Sequence, residues 1–485
     1  MTVMFKNFTF TALAFIIAGI STAEASQLQT WPAPEGAVLK NDFKVQVSLD
    51  GRNWKDVPTY LMKVDEVREG KHNFEDTSMA YFDFEGEVSV RIRSLASRPE
   101  SVRIRPLSYD IAHSLKGDCI CFTLTKPANL SVEVNGDIFH NLHLFANPVD
   151  NNRPADLNDP DLIYFGPGYH RIEGRRGMRI ESGKTVYIDG GAYVDGTIHI
   201  VDAENVKVLG RGIIRPSADA AGIRISRSRN VYVEGVITTQ LPTGGSDGVT
   251  IRNVKSISHY GWGDGMNVFA SSNVLFDGVF CRNSDDCTTV YATRKGYPGS
   301  CRHIVMQNST LWADVAHPIF IGIHGNADNP DTIEDCVYRN IDILDHKEKQ
   351  IDYQGCLAIN GGDNNIIRDI LFEDIRIEDF REGQLVNLRI FYNEKYCKAP
   401  GQCIENVTFR NVSYNGSNAR TSIICGYSPE RKVSGIVFEN LMINGVPIYD
   451  TMPGKPAWYK TGDMAGIWVG EHVDGVRFVK VSQEN

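Results

Sequence analysis

A short sequence motif that is repeated along the second part of the chain restricts the possible fold more than any other feature. Each copy has a turn residue, two or three alternating β-formers and a polar pair that often ends in Asn or Gly. The copies begin about 18 to 37 residues apart, at Asn205, Asn230, Gly248, Asn273, His303, Cys336, Asp369, Asn406 and Gly435. One coil cannot bury its apolar side chains alone, whereas stacked coils form a continuous core. Helical periodicity is almost absent, and the repeats are too short for four-stranded propeller blades. The sequence therefore predicts an all-β, right-handed parallel β-helix.

The first part of the chain has a different residue pattern. Alternating runs at 43–49, 88–92 and 102–105 are separated by Gly, Asn and Pro, which is typical of an antiparallel β-sandwich. A stretch rich in Asp, Asn and Pro follows at 147–160 and reads as a linker. With 485 residues, two units are expected. We predict a sandwich domain at 26–150 and a β-helix catalytic domain at 151–485.

Residues 1–25 have the layout of a secretory signal peptide. Lys6 precedes an apolar run from Phe8 to Ile20, and Ala23-Glu24-Ala25 comes before Ser26. The apolar run is shorter than the roughly 18 to 20 residues that a membrane span needs. We therefore predict a secreted or periplasmic protein without a membrane partner. Disulfides are permitted in such a compartment for the ten cysteines, although buried thiols stacked inside a solenoid remain an equal alternative.

The net charge of the chain restricts the classes of molecule that it is expected to bind. A formal net charge of −10 argues against nucleic acid and anionic membranes, and mildly against a strongly anionic polymer. Local basic clusters can override that total. A polysaccharide or oligosaccharide substrate is compatible with it, and a monomer is favoured.

Three carboxylates in polar positions of consecutive coils are the candidate catalytic groups. Asp264 lies between two glycines, and Asp285 and Asp286 follow about 21 residues later, close to one coil. Stacking then brings the acids about one strand spacing, roughly 4.8 Å, apart. Acetal cleavage needs one protonated and one ionised carboxyl group, and crowded carboxyl groups cannot all ionise. The alternative is a turn in which Asp caps backbone amides.

These motifs resemble those of the polygalacturonase family, glycoside hydrolase family 28. The resemblance rests on Asp264-Gly265, then Asp285-Asp286-Cys287, then His317 within the segment 316–322. The chain is also similar to the dextranase and isopullulanase family, glycoside hydrolase family 49, which joins a sandwich to a β-helix. The matching phrases lie at 102–108, 142–148, 163–168 and 190–196.

The resemblance implies an inverting hydrolase with no metal or organic cofactor. Asp285 would be the general acid, Asp264 and Asp286 would hold and deprotonate the water, and His317 would position them. Asp285 and Asp286 are neighbours and need a bend to converge, since successive strand residues point to opposite faces.

One departure bears on the substrate. Polygalacturonases carry Arg-Ile-Lys on a later coil to bind the sugar carboxylate, and the corresponding region here, 352–360, lacks it. This favours a neutral, dextran-like α-glucan, with a pectin hydrolase as the alternative. Arg294, Lys295 and Arg389 are candidate cations for an acidic sugar, or else solvated charges.

Further residues are candidates for binding sugar. Trp262 adjoins Asp264, and Trp312 and Tyr353 lie on the following coils. All three suit stacking on sugar rings, or else fill the core. Trp262, flanked by glycines, is expected to be exposed in the cleft. His324 is a weaker candidate for sugar contact. Two rival functions are a polysaccharide lyase on the same fold, and a glycan-binding solenoid without catalysis.

Overall fold

The computed structural model describes residues 26–174, 177–217, 221–259, 262–352 and 355–481. The predicted export segment, 1–25, and Tyr353 lie outside the described residues. A short α-helix covers Thr461–Met464, and a 3₁₀ turn covers Leu107–Tyr109. The rest of the regular structure is β.

The N-terminal strands form two sheets around a common apolar core. The six-stranded sheet contains Gln27–Gln29, Tyr60–Arg68, Lys71–Glu85, Val102–Arg105, Ala128–Val134 and Leu142–Pro148. The five-stranded sheet contains Phe43–Ser48, Lys55–Val57, Val88–Ser94, His113–Lys116 and Cys119–Leu124. One pairing departs from the antiparallel pattern: Leu142–Pro148 runs parallel to the end of Lys71–Glu85. The long connection between these two strands allows the chain to return in the same direction.

Beyond residue 161 each coil contributes strand segments to three parallel ladders. The first and second ladders form a 22-stranded sheet, in which the long strands Cys301–Ala313, Thr332–Asp345 and Ile366–Glu378 belong to both.

The first ladder further contains Leu162–Phe165, Thr185–Ile188, Glu204–Gly210, Arg229–Glu234, Asp247–Arg252, Ser272–Asp277, Cys403–Arg410, Val433–Glu439, Val473–Asp474 and Arg477–Val479. The second contains Gly168–Arg171, Ala192–Asp195, Ile213–Ile214, Ile237–Thr238, Lys255–Ser258, Phe280–Asn283, Ser413–Asn415 and Leu441–Ile443, the last with Val446–Ile448 antiparallel to it.

The third ladder is an 11-stranded sheet. It contains Met178–Ile180, Ile198–Val201, Ile223–Ser226, Thr243–Gly244, Met266–Phe269, Thr288–Tyr291, Ile319–Gly322, Leu357–Gly361, Val386–Ile390, Ser422–Cys425 and Ile467–Val469. A separate two-stranded sheet joins Gly383–Gln384 to Ala419–Arg420.

The repeated phrase packs in register inside the coils. One column of buried, mostly β-branched side chains runs through Val206, Val231, Val249, Val274, Ile304, Cys336, Ile370, Val407 and Ile436. The Asn that opens several copies adopts the left-handed backbone conformation, as at Asn205, Asn230 and Asn273. Asn tolerates this conformation, and the Asn230 amide donates to Asn205 Oδ1 at 2.6 Å. The repeat thus supplies both the core and the turns.

The sandwich packs on the outward face of the second ladder. Tyr60, Met62 and Phe145 of the sandwich share a buried cluster with Ile257 and Phe280 of the coils. A buried ion pair joins Arg211 to Asp83 at 2.9 Å across the same contact. The sandwich therefore lies against the second ladder, with Arg211 at the junction of that ladder with the first.

The predicted fold class is confirmed: a small β-sandwich precedes a right-handed parallel β-helix. The ten cysteines are free thiols in the structure. Six of them are buried, which matches the alternative of thiols stacked inside the solenoid.

Candidate active site

Asp264, Asp286 and His317 occupy the same position on three consecutive coils. Each lies two residues before the start of the paired segment, where Met266, Thr288 and Ile319 are in register. The backbone confirms the stacking, since Gly265 N donates to Asp286 O and Cys287 N donates to His317 O, both at 2.8 Å. The stack is therefore formed by Asp264 and Asp286, with Asp285 beside it.

Gly265 is required by the close approach of the coils. A Cβ at this position would lie 2.4 Å from both Asn283 Oδ1 and the carbonyl oxygen of Cys287. No ordinary side chain fits there, which explains the Asp-Gly pair on this coil.

A bend between Phe280–Asn283 and Thr288–Tyr291 brings the two neighbouring aspartates to one side. Asp286 N donates to Asp285 Oδ1 at 3.0 Å, so the Asp285 side chain folds back along the bend. One carboxylate oxygen from each of Asp264, Asp285 and Asp286 lies within 4.8 Å of the others.

Two of the acids are held by donors. The Asn267 amide donates to Asp264 Oδ2 at 2.6 Å. Asp286 Oδ1 accepts from His317 N at 3.1 Å and lies 2.7 Å from His317 Nδ1, while Tyr291 Oη donates to Asp286 Oδ2 at 3.3 Å. These donors fix the orientation of the Asp286 carboxylate.

The environment drives two carboxyl groups towards the protonated form. Burial, followed by the charges of Asp286, Asp264 and Glu348, raises the pKa of Asp285 well above its usual range. Burial also raises the pKa of Asp264 to about 7, and the charge of Asp286 adds to the rise. Lys295, the Asn267 amide and Arg294 oppose this rise at Asp264 by stabilising its ionised form. Unequal environments of this kind separate an acid from a base.

The raised pKa of Asp264 makes a prediction for stability. The folded protein holds this proton more tightly than the unfolded chain, since the pKa moves from 3.8 to about 7. This contribution to stability is complete below about pH 4 and is lost as pH rises through 7. We expect Asp264→Asn to raise the unfolding temperature at pH 8, where the native carboxylate carries a buried charge, and to change it little at pH 4. Differential scanning fluorimetry at both pH values, with Asp277→Asn as a control, measures this, and an equal shift at both pH values would contradict it.

The acids open into a cavity of about 610 Å³. Basic side chains line it together with the acids: Arg294, Lys295, Lys347, Lys349 and Lys395. A larger groove of about 760 Å³ lies on the sandwich, where Asp110 is the one carboxylate among its described lining residues. The acid cavity is therefore the candidate for chemistry.

The structure brings several residues predicted from the sequence to this cavity. Trp262 lines it and is 66% exposed, and Arg294, Lys295 and His324 line it as well. Burial, with the charges of Arg294 and Lys295, lowers the pKa of His324 to about 3, so its ring is neutral near pH 7.

Two predicted sugar contacts are corrected. Trp312 is fully buried, because it points outward from the second ladder into the contact with the sandwich, where the guanidinium carbon of Arg105 lies 4.9 Å from its ring centroid. No sugar reaches it there. Arg389 is not among the residues that line the cavity, and its Nη1 donates to the carbonyl of Asp352 at 3.2 Å.

Sequence reasoning missed other residues of the cavity. Lys347, Glu348 and Lys349 come from the loop after Thr332–Asp345, and Val67 and Gly70 come from the sandwich. The charged run at 347–349 was a usable signal. Nothing local in the sequence places residues near position 70 beside the acids.

The three acids are also close enough to hold a cation, since one oxygen of each lies within 4.8 Å of the others. Oxygen ligands of this kind suit Ca²⁺ or Mg²⁺. Arg294 and Lys295 already offset the charge of Asp264. The absence of a metal or organic cofactor stays a prediction.

Comparisons with known proteins bear on the fold and the motifs. No protein-family model matches the chain. Probable endopolygalacturonase D of Neosartorya fischeri is 26% identical over 187 residues, which is 38% of this chain and 35% of that protein. The match thus spans about a third of the length of that relative.

Two solved structures are similar to this chain. Dex49A from Penicillium minioluteum has a TM-score of 0.62 and 14% identity, over 93% of this chain and 96% of that one. The family 28 exopolygalacturonase of Yersinia enterocolitica has a TM-score of 0.49 and 12% identity, over 80% of this chain and 96% of that one. The resemblance to the polygalacturonase and dextranase clan that the motifs predict is confirmed. Within the described residues, the structure contains no helix with the length and apolar character of a membrane span.

Proposed function

We propose that this protein is an exported glycoside hydrolase that cleaves a polysaccharide with Asp264, Asp285 and Asp286. The observation that carries the proposal is the convergence of three carboxylates within 4.8 Å, with burial and neighbouring charge raising the pKa of Asp285. The polygalacturonase name of the fungal relative supports the same class of reaction. Export rests on residues 1–25, and the division into 26–150 and 151–485 remains part of the proposal.

The proposal gives each of these side chains a role. Asp285, protonated, donates to the leaving oxygen of the glycosidic bond. Asp264 and Asp286 hold the water and accept its proton as it attacks the anomeric carbon. His317 positions Asp286 through the contact of 2.7 Å between Nδ1 and Oδ1.

We propose inversion of the anomeric configuration. Most inverting hydrolases separate two carboxyl groups by roughly 6.5 to 9.5 Å, which leaves room for water between acid and base. The oxygens here approach within 4.8 Å. Inversion at this spacing requires the water to be held by Asp264 and Asp286 together, on the side of the sugar opposite the proton donor.

The charges of the cavity favour an anionic polymer over the neutral glucan that the sequence favoured. Arg294, Lys295 and Lys395 line the cavity, and Lys295 and Lys395 are exposed there. Such cations attract carboxylates in spite of the net charge of the whole chain. These cations lie at other sequence positions than the Arg-Ile-Lys element, but they supply the same positive charge for a sugar carboxylate. We therefore propose a polyuronate as the substrate class.

A panel of polymers tests the proposal. Purified protein is incubated with sodium polygalacturonate, dextran, pullulan and arabinan, and reducing ends are measured with and without chelator. We expect reducing ends to be released from polygalacturonate both with and without chelator. Release from dextran alone would instead indicate a neutral glucan as the substrate. An unsaturated product that absorbs in the ultraviolet would indicate a lyase. Binding without any release would indicate a non-catalytic solenoid.

The cations make a prediction of their own. We expect the double variant Arg294→Gln, Lys295→Gln to raise KM for sodium polygalacturonate about five-fold at low salt, because each partly exposed charge contributes up to about 1 kcal/mol. The difference from wild type should shrink as salt screens the charges. Steady-state kinetics at two ionic strengths measures this.

Lys432→Gln is the matched control, since Lys432 is an exposed cation paired with Asp474 at 3.0 Å outside the cavity. An unchanged KM of the double variant at low salt would show that Arg294 and Lys295 do not take part in substrate binding.

A further inference from the structure

A hairpin of the sandwich reaches the acid cavity. Its strands are Tyr60–Arg68 and Lys71–Glu85, and Val67 and Gly70 near its tip line the same cavity as the three acids. Lys347 Nζ from the coils donates to the carbonyl of Val67 at 2.7 Å, which ties the tip to the rim of the cavity.

His72 on this hairpin contacts the exposed tryptophan of the cavity. The rings of His72 and Trp262 meet edge to face, with centroids 4.7 Å apart and planes at 84°. Phe74, two residues further along the same strand face, meets His259 of the coils in the same way at 5.3 Å. The hairpin therefore inserts two rings among the aromatic side chains that precede Asp264.

Asp65 holds His72 in place. Its carboxylate, fully buried, bonds to His72 Nδ1 from the opposite strand of the hairpin. Asp65 pairs directly with Phe74, so His72 is its diagonal neighbour on the same face. A buried carboxylate fixed to one ring nitrogen sets the orientation of the imidazole.

Trp262 needs such support. It is 66% exposed and precedes Asp264 by two residues, so most of its surface is not covered by the described part of the protein. A ring that stacks on a sugar contributes more to binding when its orientation is set beforehand.

We infer that His72, held by Asp65, is a positioning residue that orients Trp262 as a sugar-stacking surface. The sandwich hairpin then forms one wall of the substrate cleft. The inference rests on the proposed function and adds a role for the N-terminal unit in substrate binding.

A double-mutant cycle tests the coupling between the two residues. His72→Ala is expected to raise KM for sodium polygalacturonate about two- to twelve-fold, the range for an aromatic pair, with kcat within about twofold of wild type. Trp262→Ala is expected to raise KM at least as much. The double variant should then match Trp262→Ala, because His72 acts through Trp262. Independent, multiplying effects of the two changes would overturn the inference.

Two further variants separate positioning from folding. His72→Phe keeps the ring contact without the bond to Asp65 and is expected to restore much of the wild-type KM. His303→Ala removes another His–Asp pair, exposed and outside the cavity, and should leave KM unchanged. Unfolding temperatures of all variants are measured alongside.

A spectroscopic measurement keeps the test independent of the substrate. Fluorine NMR of the protein labelled with 5-fluorotryptophan resolves the six tryptophans, and Trp262→Phe assigns the signal of Trp262. His72→Ala is expected to shift and broaden that signal while the others stay in place. An unchanged Trp262 signal overturns the inference, whereas an active Asp285→Asn variant overturns the proposed function, so the two failures are distinct.

Discussion

Replacing Asp285 by Asn is expected to lower kcat for polysaccharide hydrolysis by about 10² to 10⁴-fold, the usual contribution of a positioned general acid or base. Asn has nearly the same size but carries no proton to give to the leaving oxygen. Burial and the neighbouring charges that raise the pKa of Asp285 favour its protonated form. Initial rates of reducing-end release measure the loss, with KM expected to change far less.

Asp277→Asn is the matched control for this variant. Asp277 lies on the same coil but on the first ladder, where it pairs with Arg252 at 3.3 Å, outside the cavity. It should keep wild-type rates. Wild-type hydrolysis by Asp285→Asn would show that another group gives the proton.

Replacing Asp314 by Ala is expected to lower the free energy of unfolding by about 3 to 5 kcal/mol. Asp314 and Arg282 are both fully buried and paired at 3.1 Å, and Arg381 approaches Asp314 at 3.7 Å. Without the Asp314 carboxylate, the buried positive charges of Arg282 and Arg381 are less well neutralised beneath the sandwich. Thermal and denaturant unfolding, followed by tryptophan fluorescence, measures the change.

Asp474→Ala is the control for stability. Asp474 pairs with Lys432 at the surface, where both side chains are well exposed. Exposed pairs of this kind contribute at most about 1 kcal/mol. An equal, small effect of both changes would mean that the buried pair stabilises the fold no more than a surface pair does.

The repeat was sufficient to predict the β-helix, because its physical requirements are local. Val231 and Val249 alternate with polar residues on their strands, and Asn205 and Asn230 open the copies at turns. Each copy needs only its neighbours above and below. A fold built from nearest-neighbour contacts can be read from a periodic sequence.

The acids could be predicted for the same reason, whereas the part of the cavity that the sandwich contributes could not. Asp264 and Asp286 are one coil apart, so register alone stacks them. Trp312 also lies on a coil of the site, but the sandwich covers it, and no sequence pattern reveals where a second unit packs. Val67 lines the cavity of the acids and His72 contacts Trp262, yet both precede Asp264 by about 190 residues and come near it only through that packing.

The stereochemistry of the product tests the central claim most directly. Proton NMR recorded during hydrolysis of oligogalacturonate reports the anomer formed first, before mutarotation. Attack by a water held between Asp264 and Asp286, opposite the proton from Asp285, predicts the inverted anomer. A retained anomer would make one of these aspartates a nucleophile, and an unsaturated uronate would replace hydrolysis by elimination; either result would contradict the account.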